Sequence, residues 1–263
     1  MTGFRVWAPE AGAVQVTIDG ELHELSADTG GWWQATVENA GPGTDYAYVL
    51  DGGDPRPDPR SAWQPHGVHG PSRIVDHDAF AWTDSNWRGV PLAGSVLYEM
   101  HVGTFTADGT FDAAVGRLHH LVELGISTVE LLPCNGFAGR WGWGYDGVAW
   151  YAVHDPYGGP DGLKRFVDAC HARGLGVVMD VVYNHLGPAG NYLAEFGPYL
   201  TDAHTTPWGA AVNLDRPGSD EVRQYVVDNA SMWLRDYHID GLRLDAVHAL
   251  VDERATHLLE ELA

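Results

Sequence analysis

The stretch Gly241-Leu242-Arg243-Leu244-Asp245-Ala246-Val247-His248 has the pattern of a buried strand that carries a charge pair. Side chains alternate between the two faces of a strand, so Leu242 and Leu244 share one face while Arg243 and Asp245 share the other. Buried charges are costly unless they are paired or used chemically. The pattern therefore predicts that this strand carries a functional ion pair.

This strand is the last of four that alternate with helices after Gly94. The sequence predicts strands at 95–102, 127–133, 176–183 and 241–248, and helices at 111–124, 161–173, 220–237 and 252–262. Apolar strands separated by helices favour a parallel sheet with helical cover. A complete barrel takes ~250 residues, more than the segment 95–263 contains. We therefore predict that this segment is the first half of a (β/α)8 TIM barrel, with four β/α units.

A doubly wound open sheet is the alternative architecture for alternating strands and helices. Such folds carry a glycine-rich phosphate loop after the first strand. Here that position reads Val102-Gly103-Thr104-Phe105, with a single glycine. We therefore favour the truncated barrel.

The N-terminal segment follows a different pattern. Short strands are predicted at 4–8, 14–18, 32–37 and 46–50, with glycine and proline turns between them. Regular short strands of this kind are typical of an all-β sandwich. We predict a carbohydrate-module-like sandwich over 1–84, a linker over 85–94 and the truncated catalytic barrel over 95–263.

Composition restricts the partners of the chain. Its 36 acidic and 15 basic residues give a net charge of −21, which argues against nucleic acid and anionic membranes because both attract positive surfaces. A neutral substrate is expected. The N-terminus lacks a signal-peptide pattern and no apolar run reaches the length of a membrane span, so we expect a cytoplasmic location.

Polar and aromatic residues follow the predicted strands at the end where barrel enzymes build their sites. Six aromatic residues lie between Trp141 and Tyr157 and alternate with glycines. Aromatic rings stack on sugars, but an aromatic plug that seals the barrel mouth explains most of these rings as well; Tyr145 alone is interpreted as a stacking residue. His185 follows the third strand, where a histidine is often only a local hydrogen-bonding residue.

Three segments resemble a known family. Asp180-Val181-Val182-Tyr183-Asn184-His185 and the stretch 241–248 resemble two conserved segments of the α-amylase (glycoside hydrolase 13) superfamily, and Trp143-Gly144-Tyr145-Asp146 resembles its sugar-stacking loop. The segments 98–106, 184–192 and 207–213 are similar to members that hydrolyse maltooligosyltrehalose and release trehalose. The opening Phe4-Arg5-Val6-Trp7-Ala8-Pro9 is similar to the module that precedes their barrel.

The resemblance implies a retaining glycoside hydrolase that acts on a neutral α-1,4-glucan or maltooligosyltrehalose. Asp245 would be the nucleophile that forms a covalent glycosyl-enzyme, and Arg243 would orient it. The remaining implied residues are Tyr145, Trp143, His185 and His248 as sugar-binding residues, and Asp180 and Asn184 as structural support.

Retaining hydrolysis also needs a second carboxyl group ~5–5.5 Å from the nucleophile as general acid. In the family this glutamate follows the fifth strand, beyond the four strands predicted here. We therefore expect the general acid to be absent from the chain and the isolated chain to have little or no activity. An open barrel edge would expose apolar strand surface, so we also expect self-association.

No cofactor and no metal site are expected, although Asn184 stands at a position that binds calcium in some relatives. Two other functions stay open. One is a glycogen-branching-type glucanotransferase, which would use the same nucleophile. The other is a non-catalytic α-glucan-binding fragment, which the missing acid would explain.

Overall fold

A computed structural model describes all residues, 1–263, and its N-terminal part is the predicted β-sandwich. One sheet has the order β1-β5-β4 and the other β3-β2-β6-β7, and all their neighbouring strands are antiparallel. The strands are β1 (Thr2–Trp7), β2 (Val14–Ile18), β3 (Glu21–Glu24), β4 (Ser26–Ala27), β5 (Trp32–Val37), β6 (Asp45–Leu50) and β7 (Ser72–Arg73).

Strand β2 shows why this part of the sequence folds as a sandwich. Its alternate residues Val14, Val16 and Ile18 are buried, as the period of two requires. A two-residue turn, Asp19-Gly20, joins β2 to β3, and both residues have positive φ (52° and 83°). Positive φ at both central positions matches the turn to the twist of the paired strands.

The second part of the chain contains the parallel sheet. Its four strands run in the order β15-β12-β9-β8, all parallel, and its connecting helices confirm the first half of a TIM barrel. The strands of this part are β8 (Leu97–Met100), β9 (Thr128–Leu131), β10 (Asn135–Gly136), β11 (Ala149–Val153), β12 (Gly176–Val181), β13 (Leu200–Thr206), β14 (Gly209–Val212) and β15 (Gly241–Leu244).

Seven α-helices accompany these strands, of which α4 and α6 are the long ones. They are α1 (Val102–Phe105), α2 (Phe111–Val115), α3 (Leu118–Glu123), α4 (Gly159–His171), α5 (Leu193–Phe196), α6 (Ser219–Asp236) and α7 (Leu258–Leu262). Short 3-10 turns lie at Thr29–Gly31, Asp155–Tyr157 and Val247–Ala249. No helix combines the length and the apolar character needed to cross a membrane.

Three predicted elements differ from the structure. The helix predicted at 111–124 is two helices, α2 and α3, which are interrupted at Gly116-Arg117 where glycine has a low helix propensity. The helix predicted at 252–262 is only α7, because the buried Asp252 carboxylate accepts hydrogen bonds from the Arg223 side chain and the Leu258 N–H.

The third difference concerns the strand predicted at 241–248. It ends at Leu244 rather than at 248, because Ala246 adopts a left-handed conformation (φ 41°, ψ 47°) that turns the chain. It is also the edge strand of the sheet, with Leu242 and Leu244 only half-buried and Arg243 partly exposed. The prediction of a buried strand was therefore wrong, since this strand is only partly buried.

Sandwich and barrel share one hydrophobic core, and Arg60 lies at their junction. Its Nη1 donates to the Tyr151 hydroxyl and to Asp228, each at 2.8 Å, while its guanidinium lies 5.7 Å from the ring centre of Trp32 in the sandwich. A cation held over an aromatic ring is attracted to the ring face. Arg60 therefore contacts both parts of the molecule at once.

Candidate active site

The site is built where two neighbouring strands end. Asp180 on β12 is the register partner of Arg243 on β15, so their side chains project from the same edge of the sheet. Arg243 Nη1 donates to both carboxylate oxygens of Asp180 at 2.9 Å. Burial raises the pKa of Asp180, and the hydrogen bonds from Arg243 and Tyr145 oppose this effect.

Asp245 follows directly after β15 and joins the same cation. Its Oδ1 accepts from Arg243 Nη1 at 2.8 Å. Asn184 Nδ2 donates to the Asp245 carbonyl at 2.8 Å and lies 3.3 Å from Oδ2, while the Asp245 N–H donates to Val181 O at 3.0 Å. Both the backbone and the carboxylate of Asp245 are therefore fixed, and Oδ2 is its less engaged oxygen.

The residue after Asp245 is strained. Ala246 has a positive φ, which a non-glycine residue adopts at a cost of about 1–3 kcal/mol. Residues in such conformations concentrate at functional sites. The turn carries the chain away from the sheet just after the Asp245 carboxylate.

Tyr145 reaches the cluster from the loop between β10 and β11. Its hydroxyl donates to Asp180 Oδ2 at 2.8 Å. Burial, followed by the hydrogen bond to Asp180, raises the pKa of Tyr145. Asp180 thus accepts hydrogen bonds from both Arg243 and Tyr145, which supports its interpretation as a structural residue.

His185 lies next to Asn184 after β12, and its ring orientation follows from that neighbour. The Asn184 amide nitrogen donates to Asp245, so Asn184 Oδ1 must be the acceptor from His185 Nδ1–H. Nε2 is thereby left for another partner. Burial lowers the pKa of His185, which favours the neutral imidazole.

Trp208 is a further residue of the site, one that the sequence does not predict. It lies on the tip of the β13–β14 hairpin and stacks on the His185 ring, with centroids 4.7 Å apart and planes 11° apart. The hairpin therefore covers one face of His185. In the sequence, the tryptophan in a short turn between Pro207 and Gly209 could have indicated a site residue. Its partner His185 could not be inferred from the sequence.

Trp143 and His248 are the two predicted site residues that do not join the hydrogen-bonded cluster. Trp143 is 74% exposed, and His248 is also exposed. Neither forms a hydrogen bond with Asp180, Arg243 or Asp245. Their sugar-binding roles stay predictions.

One group of side chains has the composition of a metal site. His204, Asp215 and Glu253 bring their ligand atoms within 4.8 Å of one another. Arg216 already supplies a positive charge there, since its Nη2 lies 2.9 Å from His204 Nε2 and 3.0 Å from Glu253 Oε2. We interpret this group as an ion-pair cluster.

Family models match two parts of the chain. The model "Carbohydrate-binding module 48 (Isoamylase N-terminal domain)" matches residues 1–67, and "Alpha amylase, catalytic domain" matches residues 76–204. The two matches lie on the sandwich and on the parallel sheet that carries Asp180. The chain belongs to the α-amylase family.

Relatives of this α-amylase-family chain include malto-oligosyltrehalose trehalohydrolases. It is 58% identical over 265 residues to that of Rhizobium sp. (strain M-11), covering 98% of this chain and 44% of the relative. It is 60% identical to that of Arthrobacter ramosus, covering 99% of this chain and 46% of the relative. The chain spans about half the length of the curated relatives it matches.

Solved structures of the α-amylase family agree with this fold. A crystal structure described as an α-amylase from Salmonella typhimurium superposes with a TM-score of 0.95 at 43% identity, covering 99% of this chain and 44% of that chain. Pullulanase from Paenibacillus barengoltzii, in complex with maltohexaose and α-cyclodextrin, superposes with a TM-score of 0.77 at 26% identity, covering 92% and 46%.

Proposed function

We propose that this chain is the N-terminal portion of a hydrolase that cleaves the α-1,4 bond of maltooligosyltrehalose and releases trehalose with retention. The observation that carries the proposal is the Arg243–Asp245 pair at the strand end, in a chain 58% and 60% identical to two malto-oligosyltrehalose trehalohydrolases. An aspartate fixed at three atoms has the rigidity that a nucleophile requires.

The first step would transfer the sugar to Asp245. Its less engaged oxygen, Oδ2, attacks the anomeric carbon, the glycosidic C–O bond breaks, and the bonding electrons leave with the trehalose oxygen. That oxygen takes a proton from a second carboxyl group. In the second step the second carboxylate takes a proton from water, and the water oxygen attacks the anomeric carbon of the glycosyl ester; the bond to Asp245 breaks, which restores both carboxyl groups and gives net retention.

Asp180 does not suit the role of the second carboxyl group. Its oxygens accept hydrogen bonds from Arg243 and Tyr145, which leaves no proton to donate. Glu253 and Glu261 are held in ion pairs with Arg216 and Arg223. We propose that the general acid comes from residues outside this chain, as the greater length of the relatives allows.

The proposed substrate contacts follow the geometry of the cluster. Tyr145 stacks on the sugar bound at Asp245, and His185 directs Nε2 to its hydroxymethyl group. Trp143 contributes a further aromatic face, and His248 contacts the acceptor side. The expected substrate is neutral because the chain carries a net charge of −21.

Location and domain boundaries are part of the same proposal. Cys134 and Cys170 are both buried and free, which fits a reducing compartment such as the cytoplasm. We propose a sandwich over 1–84, a linker over 85–94 and the catalytic portion over 95–263.

A branching-type glucanotransferase is the second candidate. A 1,4-alpha-glucan branching enzyme of Xanthomonas campestris is 32% identical over 94% of this chain. A related sequence therefore occurs in a protein named as a branching enzyme. A transferase would pass the sugar from Asp245 to a glucan hydroxyl instead of to water. A non-catalytic glucan-binding fragment would retain glucan without forming product.

The test joins this chain to the remaining C-terminal part of the Arthrobacter ramosus relative. The chimera is incubated separately with maltooligosyltrehalose and with amylose. We expect the chimera to release free trehalose from maltooligosyltrehalose and to convert little of the amylose. Branched product from amylose without trehalose release would favour the transferase, and binding without either product would favour the glucan-binding fragment.

A further inference from the structure

The loop that carries Trp143 and Tyr145 is pressed closely against the strand ends. A Cβ on Gly144, whose φ is +91°, would lie 2.0 Å from the Pro133 carbonyl oxygen, and one on Gly147 would lie 1.7 Å from Asn135 Nδ2. Only glycine permits these approaches. Tyr145 therefore lies between two fixed points of the backbone.

A third fixed point lies at Gly142 and comes from another strand. His101 follows β8, and its Nε2 is 2.8 Å from the Gly142 carbonyl oxygen. A carbonyl oxygen only accepts, so Nε2 must carry the proton. Nδ1 lies 2.9 Å from Thr104 Oγ1, whose hydroxyl can donate to it. The contact with Gly142 therefore places a proton on Nε2 of His101.

Tyr157 adds a second donor to the same carbonyl. Its hydroxyl is 3.2 Å from Gly142 O and 3.0 Å from His101 Nε2, and its ring is buried. The shorter contact is the one from His101. Loss of the imidazole donor would leave Gly142 with the longer bond alone.

We propose that His101 is a positioning residue for the substrate site, acting through the Gly142 carbonyl. Trp143 lies between Gly142 and Gly144, and it is 74% exposed. Fixing both neighbouring glycines sets the direction of the Trp143 ring and the approach of Tyr145 to Asp180. A loop that is already held in place loses less conformational entropy when a sugar binds. This inference rests on the proposed function, since the loop is taken to face the glucan.

Two substitutions separate positioning from general stability. In His101→Gln the side-chain amide nitrogen lies near the place of Nε2 and keeps a donor for Gly142 O. In His101→Asn the amide nitrogen lies near the place of Nδ1, so the donor to Gly142 is lost. Both replacements are polar and smaller than histidine, so they form a matched pair, and their unfolding midpoints in urea check that both fold.

The first readout is hydrogen–deuterium exchange of the 139–147 amides in the 263-residue chain. We expect faster exchange in His101→Asn and wild-type exchange in His101→Gln. The second readout is affinity for maltotetraose, followed by tryptophan fluorescence. His101→Asn should bind about 2- to 10-fold more weakly, the equivalent of one hydrogen bond, and His101→Gln should bind as wild type does.

The two readouts distinguish failure of this inference from failure of the proposed function. Wild-type exchange in His101→Asn, or equal effects of both variants, would overturn the positioning role. If the wild-type chain binds no maltotetraose, the glucan-binding part of the proposed function is contradicted. The exchange experiment then still decides whether His101 holds the loop.

Discussion

Nη1 of Arg243 lies 2.8 Å from Oδ1 of Asp245. The same nitrogen donates to both oxygens of Asp180, so one guanidinium group joins the carboxylates of two neighbouring strands. Charge-assisted hydrogen bonds of this kind are short and directional. The position of Asp245 thus depends on a cation that the sheet itself holds in place.

Replacement of Asp245 by asparagine should abolish turnover in the chimera. We expect trehalose release to fall by at least roughly a thousandfold, because the loss of a nucleophile leaves only binding and positioning effects. Asparagine preserves the side-chain shape, so maltooligosyltrehalose affinity should change little. Turnover near the wild-type rate would remove Asp245 from the nucleophile role.

Replacement of Arg243 by methionine should destabilise the chain. Asp180 is buried, and without the guanidinium group its carboxylate would lose both hydrogen bonds from Arg243. We expect the free energy of unfolding in urea to fall by about 1–3 kcal/mol. The control is Arg235→Met, since Arg235 is 73% exposed and an exposed ion pair contributes only about 0–1 kcal/mol. Equal losses in both variants would contradict the account.

His171 should make stability depend on pH. It is buried between two carboxylates, with Nδ1 2.8 Å from Asp84 Oδ2 and Nε2 3.1 Å from Asp240 Oδ2, and Trp87 stacks on its ring. The neighbouring His238 also bonds to Asp84 at 2.8 Å. Burial disfavours the imidazolium, but the hydrogen bonds to Asp240 and Asp84 outweigh it and raise the pKa of His171.

A raised pKa in the folded state gives stability that is fully present below the unfolded value of about 6.5 and lost as pH rises through the folded value. Histidines with lowered pKa, such as His154 at about 4, act in the opposite direction, so the comparison is made against His171→Gln. The difference in unfolding free energy between wild type and variant should shrink as pH rises above 6.5. A difference that grows or stays constant would contradict this assignment.

The edge strand β8 should promote association. Leu97 is 39% exposed on an unpaired strand edge, a feature that favours pairing with another chain. Sedimentation velocity should show association that increases with concentration, and Leu97→Lys should reduce it. Leu234→Lys, on the exposed face of α6, is the control and should have no effect. If Leu97→Lys and Leu234→Lys associate to the same extent, the β8 edge is excluded as the contact.

Features that depend on local periodicity could be predicted from the sequence. The alternation in β15 predicted that Arg243 and Asp245 share a face, and the strand–helix pattern predicted the half-barrel. The end of β15 was missed because Ala246 adopts a left-handed conformation that its residue type does not signal. The helix predicted from 252 was shortened because Asp252 bonds to Arg223, 29 residues earlier in the chain.

Contacts between distant residues could not be predicted at all. The stacking of Trp208 on His185 depends on where the β13–β14 hairpin folds back, and the bond from His101 to Gly142 joins two different β/α units. Each of these side chains has an ordinary local pattern. Their roles arise only when the tertiary fold brings them together.

The most direct test of the central claim is peptide mass spectrometry of the chimera after reaction with a 5-fluoro-α-glucosyl fluoride, which slows hydrolysis of the covalent intermediate. We predict a fluoroglucosyl mass on the peptide that contains Asp245, attached at that residue, and none in Asp245→Asn. A label on a different residue, or an inactivated protein with no label on that peptide, would contradict the assignment of Asp245 as the nucleophile.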